Sequence, residues 1–286
     1  MERLIYRIEK VDFSVPLEIS HLVALQNAVY EGKHTFSEQS FLFWYVDNPR
    51  GPAISFAAWD DKKMVANYSL IPVEMEIESR IVRGLLSMGT VTHPEHQGKG
   101  LFKTLASTAF EEAKLEGFEF VIGVANDNSY PGFIKHFSFQ DVGPLDVLIG
   151  FREGISSDGK KTFSMHWDTK SLLWRTSRSR YWQKEGAVYS TQNFGPWDSV
   201  PFLKTFLGDI DEVLLNQVPL RRSTNRSRPI TLYIGIGSNA LKLGYRKAPS
   251  FLHRSKFHLI FSDLKGSLPI MTNSNVFFQL LDFDVI

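Results

Sequence analysis

The chain has 286 residues, a formal net charge of +1, 43% hydrophobic residues with 23 phenylalanines, and no cysteine. The missing cysteine excludes disulfides, thiol catalysis and thiolate metal sites. The near-neutral balance argues against a broad electrostatic surface for nucleic acid, so no nucleic-acid partner is expected.

Compact domains commonly run about 100–150 residues, so this length predicts two of them. No apolar run approaches the roughly 18–20 residues of a membrane-spanning helix, and no leader pattern opens the chain. A soluble cytoplasmic protein without a membrane partner is the expectation. In chain order, residues 17–30 and 37–46 read as two helices. Residues 52–59 and 63–72 read as a strand pair turning at Asp60-Asp61, and residues 84–92 read as a further strand. Leu101, Leu105, Ala109 and Ala113 recur every four residues and mark one apolar helical face, which Gly117 closes. A buried-strand run over residues 119–125 then leads into Asn126-Asp127-Asn128-Ser129-Tyr130-Pro131-Gly132-Phe133.

Between the strand at 84–92 and the helix at 101 stands Val91-Thr92-His93-Pro94-Glu95-His96-Gln97-Gly98-Lys99-Gly100-Leu101-Phe102. A strand, a glycine loop and a helix N-terminus make an anion site, because free N–H groups converge and the helix dipole favours negative charge. His93 stands where a Walker loop needs its first glycine, and Lys103 stands at the third glycine of the dinucleotide fingerprint, so both are excluded. The bland alternative is an ordinary glycine turn that caps a helix.

Gln97, Gly100 and Phe102, after the hydrophobic strand and before the amphipathic helix, resemble the Gln/Arg-x-x-Gly-x-Gly/Ala motif of the GCN5-related N-acetyltransferase (GNAT) superfamily. The segment from Asn126 to Phe139 resembles that superfamily's Asn-x-x-Ala…Tyr-x-Lys…Gly-Phe stretch. The resemblance covers roughly the first half of the chain. It implies an α/β fold of the acyl-CoA N-acyltransferase type, with a mixed, mostly antiparallel central sheet flanked by helices. It implies that acetyl-CoA binds through Val91, Thr92, Gln97, Gly98, Lys99, Gly100, Leu101, Phe102 and Asn126. Two departures stand out: Phe102 replaces the last small residue of the loop, and Phe133 takes the place of the usual tyrosine. Tyr130 is then the nearest replacement as acid for the leaving thiolate.

The second half carries an echo of the first. Shifted by 112 positions, Phe120-Val121-Ile122-Gly123-Val124 falls on Leu232-Tyr233-Ile234-Gly235-Ile236. Gly132, Lys135 and Ser138-Phe139 fall on Gly244, Lys247 and Ser250-Phe251, and Val147-Leu148-Ile149 falls on Leu259-Ile260-Phe261. Another shift brings Phe41–Trp44 onto Ser171–Trp174. Two tandem copies are expected, a catalytic domain at 1–152 and a degenerate one at 160–286, joined through a polar linker at 153–161. The second copy lacks a glycine loop and should hold no coenzyme. Leu232–Ile236 is expected to pair beside Leu259–Phe261. Trp44 and Trp174 read as packing anchors, and Arg221, Arg222, Arg226 and Arg228 as a solvated loop.

The implied activity is acyl-CoA-dependent N-acyl transfer to a small amine by direct attack on the thioester. It needs near-attack positioning, oxyanion donors expected where the strand bulges near Val91-Thr92-His93, and a proton acceptor. Candidate bases are His93, Glu95, a water relay to Glu119, Glu31 or His34, and the carboxylate of Ile286. His93 and His96 could be metal ligands, but the sequence offers no third ligand nearby, and no metal is expected. Asn126 could serve as a helix cap rather than a pantetheine contact. The alternatives are a non-catalytic ligand- or partner-binding descendant of the fold, or a peptidyl-type aminoacyl transferase. Oligomeric state is not legible.

Overall fold

The computed structural model describes residues 6–31, 35–177, 181–190, 202–222, 228–249 and 256–283. Of the residues singled out above, His34, Arg226, Ser250, Phe251 and Ile286 lie outside them. The first half runs β1 (Arg7–Lys10), α1 (Pro16–Val29), α2 (Glu38–Tyr45), β2 (Ile54–Asp60), β3 (Lys63–Ile77), β4 (Arg80–Thr92), α3 (Leu101–Leu115), β5 (Phe120–Ala125), α4 (Tyr130–Phe137), β6 (Gln140–Pro144) and β7 (Asp146–Gly150). The rest runs β8 (Phe163–Met165), α5 (Thr169–Thr176), β9 (Tyr181–Lys184), β10 (Ala187–Ser190), β11 (Leu203–Asp209), α6 (Glu212–Leu215), β12 (Arg221–Arg222), β13 (Ile230–Ile236), β14 (Arg246–Lys247), β15 (His258–Asp263), β16 (Val276–Gln279) and α7 (Leu280–Phe283).

The described strands hydrogen-bond into one continuous, mostly antiparallel sheet. Its first ladder is β1-β2-β3-β4-β5-β15-β6, antiparallel throughout except for the parallel β4–β5 step. The helix face predicted around Leu101 is buried: Leu101, Leu105, Ala109 and Ala113 pack with Leu85, Val121 and Ile260. On the opposite face, α1 and α2 bring Leu22, Leu25, Phe41 and Tyr45 against Ala57, Ile71, Leu86 and Ile122. The two apolar faces of one sheet thus each take a helical cover, the three-layer solution to a two-sided hydrophobic sheet.

A second ladder, β9-β10-β11-β13-β7-β14, repeats the last five pairings of the first in order, two antiparallel, one parallel between β11 and β13, and two antiparallel, while β12 joins the edge of β9 in parallel. The long β3 reaches it through β8 and β16.

Here the structure departs from the expected pairing. Leu232–Ile236 does not pair with Leu259–Phe261. Within β13, Leu232 faces Ile149 and Ile234 faces Val147. Within β15, Leu259 faces Val124 and Phe261 faces Ile122 of β5. Each half therefore receives its penultimate strand from the other. The two runs are interchangeable in kind, three consecutive apolar residues at equivalent places. Which slot each enters is set by tertiary packing, which local pattern does not encode.

The aromatic anchors also meet across the halves. Trp174 Nε1 donates to the carbonyl of Phe43 at 3.1 Å, and its ring stacks on Phe43 at 5.0 Å and meets Trp44 edge-on at 5.4 Å.

Candidate active site

Strands β4 and β5 pair in parallel from Gly84↔Phe120 to Ser87↔Gly123, and then pairing stops. β4 continues to Thr92 and β5 to Ala125, so the sheet opens into a cleft at these two ends. Just where the strands part, β4 carries an extra residue. Asn67 faces Val91 and Ser69 faces Met88, so two steps on β3 oppose three on β4. The bulge centres on Gly89, in the left-handed region at φ +71°, and glycine takes this conformation without a Cβ penalty. Beneath it lies a buried polar network: Asn67 Nδ2 donates to Ser55 Oγ at 2.8 Å, Ser69 Oγ donates to Asn67 Oδ1 at 3.0 Å, and the two serine oxygens lie 2.8 Å apart. The bulge thus falls slightly before the expected Val91-Thr92-His93. The His93 N–H is already committed to the carbonyl of Val65 at 2.8 Å.

Beyond β4, a single 3-10 turn (Pro94–His96) leads into the glycine loop. Gly98 and Gly100 have φ of +73° and +78°, and a Cβ at either would meet nothing within 4 Å. Gly100 is the N-cap of the 15-residue α3 and gives it no side-chain acceptor. The first-turn N–H groups are therefore left for an external anion. Gln97 braces the loop, its Nε2 donating to the Thr92 carbonyl at 3.2 Å. Phe102 does not obstruct it: its ring turns inward, 5.1 Å from Phe133 and 6.0 Å from Tyr68.

Asn126 ends β5 in a tight side-chain turn, its Oδ1 accepting from the N–H groups of Asn128 and Ser129 at 3.0 and 3.1 Å. It caps the approach to α4, as the plainer reading of this residue expects. Phe133 is buried in the aromatic core. Tyr130, one turn earlier, donates its hydroxyl to Asp141 Oδ2 at 2.8 Å. That hydrogen bond to a carboxylate, before any burial, raises the phenol above its usual value. Asp141 also lies 3.2 Å from His258 Nδ1, and the rings of Tyr130 and His258 are 4.5 Å apart. Neither partner was visible in the sequence. Asp141 belongs to β6 and His258 to the exchanged β15, and only that exchange puts them side by side.

His93, Glu95 and His96 come together, with donor atoms within 4.8 Å of one another. Glu95, named above only as a candidate base, is thus a third group beside the two histidines. His93 Nδ1 is buried without a hydrogen-bond partner and lies 3.8 Å from Glu95 Oε2. His96 is held by Tyr6, whose hydroxyl lies 2.9 Å from Nδ1, and burial pushes this imidazole down. Glu119 does not join the site. It pairs with Arg80 at 3.4 Å, at the end of β5 away from the cleft.

A cavity of about 310 Å³ opens between α1, α2 and the bulge. Met88, Gly89 and Thr90 form its floor, and Tyr30 and Phe36, between the helices, form its walls with Phe41, Trp44 and Tyr45 of α2. A larger concavity, about 510 Å³, lies toward the C-terminal half of α3, between Phe110, Lys114 and Leu268. It is remote from both the glycine loop and the strand parting, so size alone does not locate the chemistry. No described helix is long and apolar enough to cross a membrane.

Residues 16–140 match the family model of the acetyltransferase (GNAT) domain. No curated protein matches the chain. Among solved structures, a conserved protein of unknown function from Enterococcus faecalis V583, described as a probable N-acyltransferase, superposes with a TM-score of 0.59. That likeness covers 91% of this chain and 73% of the other, at 9% identity. A GCN5-related N-acetyltransferase from Kribbella flavida gives a TM-score of 0.57 over 90% and 71% of the two chains, at 12% identity. At such identities these likenesses speak to the fold. Residues 16–140 are thus similar to the acetyltransferase (GNAT) domain, and the chain as a whole shares its fold with these two structures.

Proposed function

We propose that the chain transfers an acyl group, acetyl in the first instance, from acyl-CoA to a small primary amine in the cytoplasm. The observation that carries this reading is the parting of β4 and β5 after Ser87↔Gly123, with the open Gly98–Gly100 loop at its mouth. The N–H groups of residues 97–102 take the pyrophosphate, and Val91, Thr92 and Asn126 flank the pantetheine arm. The amine enters from the cavity over the bulge and meets the thioester at near-attack distance. Tyr130 delivers a proton to the departing thiolate. His93 and Glu95 take up the amine's proton through water.

Residues 1–152 supply this chemistry. Residues 160–286 act as a degenerate copy of the same fold, a reading supported by the five pairings that the two ladders share in the same order. Between β11 and β13 the one helix among the described residues is the four-residue α6, where the first half has α3, which supports a second half without coenzyme.

Calorimetry with acetyl-CoA tests the reading. Wild-type protein should bind, and Gly100→Asp should weaken binding at least about tenfold, about 1.4 kcal/mol, by setting a carboxylate against the phosphates. Equal affinity in a folded Gly100→Asp variant would sink the assignment of the loop. Binding without transfer to any amine would make the protein a non-catalytic descendant.

A further inference from the structure

The cavity over the bulge has a chemical character of its own. Its aromatic wall is Tyr30, Phe36, Phe41, Trp44 and Tyr45, with Met88 below. No acidic, basic or imidazole side chain lines it among the described residues. Burial raises the phenol of Tyr30 and pushes that of Tyr45 up to about 12, so neither contributes an anion near neutrality. An ammonium group placed here would lose its water without gaining a counter-charge, which is costly.

An aromatic box can also hold a cation over a ring face. At the one tryptophan, the Arg175 guanidinium already takes one ring face, 4.8 Å from the Trp44 centroid. The polar groups that line the space are uncharged: Gln26, Thr35, Ser40, Thr90 and the two tyrosine hydroxyls. Among them Gln26 is only 4% exposed, and its carboxamide can both donate to and accept from a neutral amine.

We propose that the acceptor is a monoamine on an apolar, aromatic-sized body, bound as the neutral amine with Gln26 orienting its polar end, and not a polyamine or amino sugar. The inference rests on the acyl-transfer reading above and narrows it. It also bears on the proton problem. A site that penalises the ammonium form selects the species able to attack, so the cavity needs no carboxylate of its own.

The test compares 2-phenylethylamine, spermidine, glucosamine and tetramethylammonium as ligands of the wild-type chain, by tryptophan fluorescence and by NMR. With acetyl-CoA present, kcat/KM for the three transferable amines is measured as well. Phenylethylamine should bind at least about tenfold more tightly than the others and show at least about tenfold higher kcat/KM. Ser40→Phe, which fills the rim of the cavity from α2, should weaken phenylethylamine at least tenfold and leave acetyl-CoA affinity in place. Gln26→Leu should lower kcat/KM for phenylethylamine more than it lowers affinity for toluene.

Preference for spermidine, glucosamine or tetramethylammonium would overturn the inference, as would phenylethylamine binding indifferent to Ser40→Phe. Failure of acetyl-CoA to bind would instead remove the transferase reading, while the amine titrations still judge the cavity.

Discussion

The bulge in β4 rests on one close approach, and that approach can be cut from either side. A Cβ on Gly89 would lie 2.2 Å from the Tyr45 hydroxyl oxygen but 3.5 Å from the ring carbon that bears it. Gly89→Ala therefore carries two costs. The left-handed backbone at φ +71° costs an L-residue about 1–2 kcal/mol. Displacing the buried phenol breaks its hydrogen bond with Ser69 and leaves polar atoms unpaired, about 1–3 kcal/mol. The sum is about 2–5 kcal/mol, a Tm loss on the order of 5–15 °C. In a Tyr45→Phe background only the backbone cost remains, because the hydroxyl is gone and the ring carbon stands at ordinary contact distance. A double-mutant cycle read by urea unfolding should show a coupling of about 1–3 kcal/mol with unchanged m-values. If Gly89→Ala costs the same in both backgrounds, the Tyr45 contact does not hold the bulge.

Two further outcomes are expected. Tyr130→Phe should lower kcat by about 10²-fold or more and leave acetyl-CoA affinity nearly unchanged, and unaltered turnover would mean the thiolate leaves without this donor. Asp282 is 4% exposed, and burial pushes its carboxyl up to about 7 against the hydrogen bonds from the Gln279 N–H and Trp167 and the charge of Arg175. Its folded value lies above its unfolded one, so the folded state holds the extra proton between them. Its stabilising contribution is complete below about pH 4 and is lost as pH rises through about 7. Unfolding free energy measured from pH 4.5 to 7.5 should fall more steeply in wild type than in Asp282→Asn, and parallel slopes would contradict the assignment.

Much of the first half was legible because its signals are local. The helical face at Leu101 is a period of four, the glycine loop is a short motif, and the α4 segment follows Asn126 directly. The site was less legible wherever it depends on register. One inserted residue moves a bulge, and nothing at Gly89 distinguishes it in sequence from Gly84, the other glycine of β4. Phe102 could be assigned to the loop but not to the core, because its direction is fixed by Phe133 and Tyr68, distant in sequence. Asp141 and His258 escaped notice because the groups that meet Tyr130 come from two strands, one of them from the far end of the chain. The 112-residue echo found the equivalent strands and mispaired them, since equivalence of pattern says what kind of neighbour a strand needs, not which copy provides it.

The exchange of β7 and β15 has a consequence for how the protein comes into being. Leu259, Ile260 and Phe261 are at most 2% exposed, between β5 and β6. At about 1.5–3 kcal/mol each, their burial is comparable to the whole net stability of an ordinary domain. As synthesis proceeds from the N-terminus, the proposed catalytic half waits with an open slot in its sheet until the chain has been made past Asp263. Until then the edges of β5 and β6 stand unpaired, the condition in which strands recruit wrong partners. Contacts between β5 and β15 also span more than 130 residues, so closing the sheet is a late and slow event. A truncation after β7 would remove the strand that joins β5 to β6, so the C-terminal half completes the sheet that carries the glycine loop.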